Sequence, residues 1–284
     1  MAIAINGALV ELKNATVSIF DRGFQYGDGL FETIALVAGK PVLWEEHLRR
    51  MSTGATMLGI PMPAPEVWES DAALATIDAP ERAVLKLTLT RGIGGRGYGR
   101  PFPQLPTRIA YTTAWPQYPR EHWELGIDVI TCHTAQLGGS TFATLKSLNR
   151  LNQVLARAEL PDTVPEGLLV DTAGMVREGT FSNVMWMREG RAETPRLTDT
   201  GIAGVMRGAI VSRFSGLGIQ CDAVDVPPDA IFECDECFVC NSLIGVWPIR
   251  DLDGRTLRAS PGEVTRDLLA WIDQLGLGPQ PVER

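Results

Sequence analysis

The sequence predicts an α+β fold in two domains. Alternating apolar runs recur along the chain with helical stretches scattered among them, and no regular strand–helix–strand succession appears. At 284 residues the chain can build two cores of ordinary size. A segment with two prolines and no periodicity, WPQYPR (Trp115–Arg120), reads as a connection. The expected division is therefore an N-terminal domain (1–114), a linker (115–121) and a C-terminal domain (122–284).

The elements follow in order. Apolar alternation around Asn6-Gly7 is a hairpin signal. Leu30–Val37 reads as a strand that ends at the turn Gly39-Lys40-Pro41. Glu45–Leu58 places Leu48, Met51, Ala55 and Leu58 on one helical face, and Glu66–Ile77 reads as a second helix. Ala83–Arg91 and Arg108–Trp115 are strands. Beyond the linker, IDVITCHTA is a strand, and a Gly-Gly loop leads to Lys146. A helix is expected to follow, with Leu148, Leu151, Val154, Leu155 and Ala158 as its apolar stripe. The stretch from Gly167 to Arg191 reads as a meander turning at Ala173-Gly174 and Glu189-Gly190. Gly204–Ser215 is a helix, ECFVCNS a strand, and Pro261–Leu275 a final helix.

A formal net charge of -8 argues against a nucleic-acid partner, which needs clustered Lys and Arg. No apolar run approaches the roughly 20 residues that span a bilayer, and the opening MAIAINGALV lacks a basic segment, so neither membrane span nor signal peptide is expected. Five cysteines, an odd number, suit free thiols in a reducing cytoplasm.

Two motifs carry less than their spelling suggests. Gly92-x-Gly94-x-x-Gly97 follows a strand, as in dinucleotide-binding loops, but Tyr98-Gly99-Arg100-Pro101 cannot open the helix that would hold a pyrophosphate. The segment is either a solvated hairpin or a loop presenting Arg91, Arg96 and Tyr98 to a substrate carboxylate. Cys234, Cys237 and Cys240 have metal-like spacing. Strand alternation sends Cys237 and Cys240 to opposite faces, which favours buried core thiols.

Other residues complement one another. The chain has four lysines, and Lys146 sits after Leu145 in TLKSLNRLNQVLARAEL. A desolvated lysine can become a neutral nucleophile, which arginine cannot. Glu178 lies in the meander. Thr200–Arg207 is glycine-rich and runs into a helix, so its backbone N–H groups suit an anion, although capping by Asp199 or Thr200 would also explain it. Asn241-Ser242 ends a strand and could complete that anion site or simply form a turn. An amine nucleophile, a carboxylate and a phosphate cradle are what pyridoxal phosphate requires of a protein.

The segments DRGFQYGDGLFET, EEHLRR, RGIGGRGYGR, LKSLNRLNQVLAR, REGTFSNV, GIAGVMR and CNSLIGVWPI, in this order from Ile5 to Ile249, together resemble the fold-type IV pyridoxal-phosphate enzymes. That family holds branched-chain and D-amino-acid aminotransferases and aminodeoxychorismate lyase. The resemblance implies a small N-terminal α/β domain, a C-terminal pseudo-barrel domain, pyridoxal 5'-phosphate as cofactor, and a homodimer. It assigns Lys146 as the Schiff-base lysine and Glu178 as the partner of the pyridine nitrogen. Arg50, the N–H groups of Val205 and Met206, and Ser242 would hold the phosphate. GGRGY, KSLNRLNQV and NSLIGVWP are most similar to the lyases, with an aminotransferase as the alternative. In the lyase reading Arg91, Arg96 and Thr33 face an anionic substrate. Thr144 and Ser147 depart from the lyase pattern of glycine and histidine around the lysine.

Overall fold

The computed structural model describes residues 2–139 and 141–279. The chain forms two compact units: Met1–Pro116 with Leu145–Asn149, and Gln117–Thr144 with Arg150–Arg284. Their mixture of sheets and helices is the α+β class expected.

The first unit is built on an antiparallel sheet of six strands. In chain order these are β1 (Ile3–Ile5), β2 (Ala8–Val10), β3 (Gly29–Val37), β4 (Lys40–Pro41), β5 (Arg82–Thr90) and β6 (Thr107–Ala114), arranged β2-β1-β6-β5-β3-β4. A short helix α1 (Arg22–Tyr26) precedes β3, and Asp21 caps it by accepting from the Gly23 N–H. Helices α2 (Trp44–Leu58) and α3 (Pro65–Ala75) supply the apolar cover. α2 buries Leu48, Met51 and Ala55 because they share one helical face, and Gly59 in the left-handed conformation ends it. Leu30, Ile34 and Leu36 of β3 and Leu85, Leu87 and Leu89 of β5 meet that face, with Trp68 fully buried among them.

The second unit carries α4 (Glu121–Glu124), β7 (Ile127–Thr131), α5 (Leu151–Arg157), β8 (Glu166–Val170), β9 (Val176–Gly179), β10 (Asn183–Arg188) and β11 (Arg191–Pro195). α6 (Val205–Gly216), β12 (Cys221–Val224), β13 (Glu236–Asn241), β14 (Gly245–Leu252), β15 (Arg255–Thr256) and α7 (Glu263–Gln274) complete it. The sheet order is β12-β11-β10-β13-β14-β7-β8-β9, with β15 pairing β14. The β11–β12, β14–β7 and β7–β8 pairs are parallel, and the meander pairs are antiparallel. Trp186, Trp247, Val239 and Ile249 form its core.

The structure corrects the sequence reading around Lys146. Helix α5 begins only at Leu151, and residues 146–148 are extended. The expected stripe also fails to pack: Leu151, Val154 and Leu155 are 68%, 61% and 52% exposed, whereas Ala156 is buried with Cys132 and Leu169. Their apolar period is real, but within the described chain the opposite side of the helix meets the sheet.

The glycine-rich loop has no helix after Gly97. Gly92 is fixed by geometry, since a Cβ there would lie 1.9 Å from the Leu105 carbonyl oxygen and φ is +84°. Cys237 joins the core with Val239, while Cys240 lies beside Arg207, and burial pushes its thiol up to about 12. A thiol so rarely ionised is a core side chain. No helix among the described residues is long and apolar enough to cross a membrane.

Candidate active site

Lys146 is placed by main-chain pairing. Residues 146–148 lie along β3: the Phe31 N–H donates to the Lys146 carbonyl at 3.1 Å, and the Leu148 N–H donates to the Gly29 carbonyl at 3.0 Å. Ser147 forms an antiparallel bridge with Leu30, so Lys146 stands opposite Phe31 and projects to the same face. Its Nζ lies 4.3 Å from the centre of the Phe31 ring. Ser147 projects to the other face, and Leu145 joins the α2 core.

The same face of β3 carries Thr33. Lys86, paired with Thr33 across β3–β5, donates from Nζ to Thr33 Oγ1 at 2.7 Å and lies 5.4 Å from the Phe31 ring centre. Two lysines therefore approach one aromatic ring. Burial lowers the proton affinity of Lys86, and the nearby Glu32 charge restores part of it. The sequence places Lys86 within a strand and gives it no role in the family pattern. Its signal was a lysine flanked by Leu85 and Leu87 in mid-strand.

On the opposite face of β3, Glu32 sits in the apolar core under α2 and is 1% exposed. Arg50 donates to it through Nε at 2.8 Å and Nη2 at 2.5 Å, a two-pronged fork. His47, one helical turn earlier, donates from Nδ1 to Glu32 Oε2 at 2.6 Å. Burial lowers the His47 pKa despite the Glu32 carboxylate, and the Arg50 and Lys146 charges lower it further. The His47–Glu32 contact is thus a hydrogen bond from a neutral ring, and Arg50 is the cation. Glu32 pays for its burial through these partners and is lowered to about 2. A carboxylate at a core position of β3, matched by His47 and Arg50 at i, i+3 on α2, was legible in principle and was missed.

Glu178 lies in β9 of the second unit, one residue before its end, and is 3% exposed. Its Oε2 accepts from the Ile202 N–H at 2.7 Å, and its Oε1 accepts from Gln136 Nε2 at 2.7 Å and Gln153 Nε2 at 3.3 Å. Ile202 belongs to the glycine-rich run expected to bind an anion. Downstream, no side chain caps α6, so the first-turn N–H groups of Val205 and Met206 face outward from the helix end. Gly204 leaves room there, because a Cβ would lie 1.9 Å from Asn183 Oδ1. Asn183 in turn donates to the Ile202 carbonyl at 2.8 Å. Ser242 follows β13, and Asn241 performs turn chemistry, its Oδ1 accepting from the Leu243 and Ile244 N–H groups.

These residues fit pyridoxal phosphate. Among the described residues, Gln136 Oε1 and Thr200 Oγ1 are buried without a hydrogen-bond partner, both on segments that border Glu178. Within the second unit, an uncapped helix end suits a phosphate, and a buried carboxylate suits a protonated ring nitrogen.

Arg91 has another task. Its guanidinium donates to Asp28 twice (2.7 and 3.0 Å), to the carbonyls of Leu58 and Gly59, and to Gln104 Oε1. All five N–H donors are used, which leaves none for a substrate carboxylate. Arg22 likewise donates to Asp28 and to the carbonyls of Gly97, Tyr98 and Gly99, tying down the glycine-rich loop. Arg96 is exposed on that loop.

Comparison with known proteins adds independent findings. Residues 29–252 match the amino-transferase class IV family. The crystal structure of 4-amino-4-deoxychorismate lyase from Pseudomonas aeruginosa aligns with a TM-score of 0.89 at 39% identity, over 96% of this chain and 98% of that one. Aminodeoxychorismate lyase of Vibrio harveyi is 32% identical, over 84% of this chain and 88% of that protein. D-alanine aminotransferase of Bacillus licheniformis is 27% identical over 94% of each chain. With a match that spans most of the sequence and a structure so similar in fold, the chain belongs to the class IV aminotransferase family of enzymes.

Proposed function

We propose that the protein is a pyridoxal-phosphate-dependent aminodeoxychorismate lyase, converting 4-amino-4-deoxychorismate to 4-aminobenzoate and pyruvate. The observation that carries this reading is the pair Lys146 and Lys86 beside the Phe31 ring of β3, an amine next to a second cation bonded to Thr33. A cation bonded to a neutral hydroxyl suits an anionic substrate, and the lyases of P. aeruginosa and V. harveyi are relatives.

Lys146, Glu178, Arg50, the N–H groups of Val205 and Met206, and Ser242 would hold the cofactor, which when bound would supply an electron sink for the carbon that bears the substrate amine. Lys146 Nζ removes the proton from the ring carbon that bears nitrogen. A proton is then returned to the enolpyruvyl methylene as the carbon–oxygen bond breaks and pyruvate departs. Lys86 and Arg96 receive carboxylates, and Thr33 Oγ1 faces the same substrate. Glu178 supplies the negative charge that keeps the ring nitrogen protonated. The resemblance also favours a homodimer, and the exposed apolar side of α5 is a surface that a second copy would cover.

The test is product analysis. Purified protein loaded with pyridoxal phosphate should release pyruvate and 4-aminobenzoate from aminodeoxychorismate, and borohydride should fix the cofactor to a peptide containing Lys146. Amino transfer from D- or L-alanine without that release would replace the lyase with an aminotransferase. Failure to take up the cofactor would overturn both.

A further inference from the structure

Glu178 is a buried carboxylate held by neutral hydrogen-bond donors. Its carboxylate is served by one backbone N–H, from Ile202, and two carboxamides, from Gln136 and Gln153. Burial pushes its carboxyl pKa up. The Ile202 N–H, Gln136, the Arg150 charge and Gln153 act in the opposite sense. The neighbouring Arg177 points its charge elsewhere, to Asp171 and Asp225.

Gln136 is the better placed of the two carboxamides. Its N–H donates to the Val170 carbonyl at 2.7 Å, and it bridges to Asp171, the residue following β8, the strand that pairs with β9. Two residues on, Gly138 lies against Thr200: a Cβ there would be 3.3 Å from Thr200 Cβ. The segments bearing both short donors to Glu178 thus brace each other. The amide orientation follows from charge, since the reverse would set Gln136 Oε1 against a carboxylate that only accepts. Gln136 also lies outside every motif that carries the family resemblance.

We propose that Gln136 is a positioning residue for Glu178: its carboxamide holds the buried carboxylate in place as the anion that the cofactor's ring nitrogen requires. This rests on the reading of Glu178 as the ring-nitrogen partner. Gln153 plays the same part more weakly, at its longer distance, and neither glutamine touches the reacting atoms. Neutral donors suit the task, because a cation bonded to Glu178 would compete with the protonated ring for its charge.

The experiment titrates Glu178 directly. Cofactor-free protein labelled with carboxyl-¹³C glutamate is followed by NMR, and Glu178→Gln identifies the resonance. Gln136→Met keeps the side chain's length and removes the donor. The Glu178 midpoint should rise by about one to two pH units, and by less in Gln153→Met. The dissociation constant for pyridoxal phosphate at pH 7 should weaken about tenfold in Gln136→Met. The defect should shrink toward higher pH as Glu178 ionises, a dependence that a loss of packing would not produce. Should Gln136→Met not fold, Gln136→Asn withdraws the donor by one methylene and should move the midpoint in the same direction. An unmoved midpoint in a folded variant overturns the proposal. A midpoint that moves while cofactor affinity and its pH dependence stay unchanged overturns instead the pairing of Glu178 with the cofactor.

Discussion

Replacing Glu32 by Gln tests whether the carboxylate under α2 is the electrostatic anchor of Arg50. Arg50 and His47 outweigh the burial cost and lower Glu32 from its ordinary 4.5 to about 2. At about 1.4 kcal/mol per pH unit, this difference is worth about 3 kcal/mol of stability at pH 7. Because the folded-state pKa is the depressed one, the contribution is complete above the unfolded value near 4.5. It fades as pH falls through the folded value near 2. Urea unfolding of wild type and Glu32→Gln at pH 7 should differ by about 3 kcal/mol, and by less than half of that at pH 3. Urea is the right denaturant, since it leaves the charges unscreened. The variant should also lose cofactor affinity, as an amide cannot take both prongs of the Arg50 fork. A gap below about 1 kcal/mol at pH 7 would refute the reasoning. So would a gap that stays constant between the two pH values, which would make Glu32 a matter of packing and not of charge.

Three further outcomes are expected. Arg91→Ala leaves Asp28 with only Arg22 and strips the Leu58 and Gly59 carbonyls of a donor, so thermal unfolding should show a loss of about 3–5 kcal/mol. A stable variant with an elevated KM would instead make Arg91 a substrate ligand. Gly204→Ala drives a methyl group into Asn183 Oδ1 and should cost about 1–3 kcal/mol while weakening pyridoxal phosphate binding; unaltered binding by absorbance titration would refute the phosphate cradle. Lys86→Met should raise the KM for aminodeoxychorismate about ten- to a hundredfold, by loss of one charge-assisted contact, with the cofactor's visible spectrum unchanged. A changed spectrum with normal KM would place Lys86 on the cofactor.

What the sequence revealed depended on how local the cause was. Periodicity located α2, β3 and β5, because Leu48, Met51 and Ala55 and the leucines of β5 obey one period over one element. The family motifs pointed to Lys146 and Glu178 as types, but not to their settings. Lys146 was expected at a helix start because Leu148, Leu151 and Val154 keep a helical period; it is extended because Gly29 and Phe31, distant in sequence, offer it a free strand edge. Arg91 looked like a substrate ligand for the same reason. Its five acceptors come from Asp28, Leu58, Gly59 and Gln104, and no spacing rule gathers them. Gln136 escaped notice and Lys86 was given no role, since each gains meaning only from a partner on another strand or loop.

The anchoring of Lys146 to β3 by N–H and carbonyl groups has an evolutionary side. Main-chain atoms are common to every residue type, so the amine keeps its station whatever side chains flank it. Ser147 points away from Phe31 and Thr144 lies outside the paired stretch, so exchanging either leaves the main-chain pairing of residues 146–148 with β3 in place. A lineage built this way can exchange the residues beside its reactive lysine, and with them its choice of substrate, while the step that engages the cofactor is inherited intact.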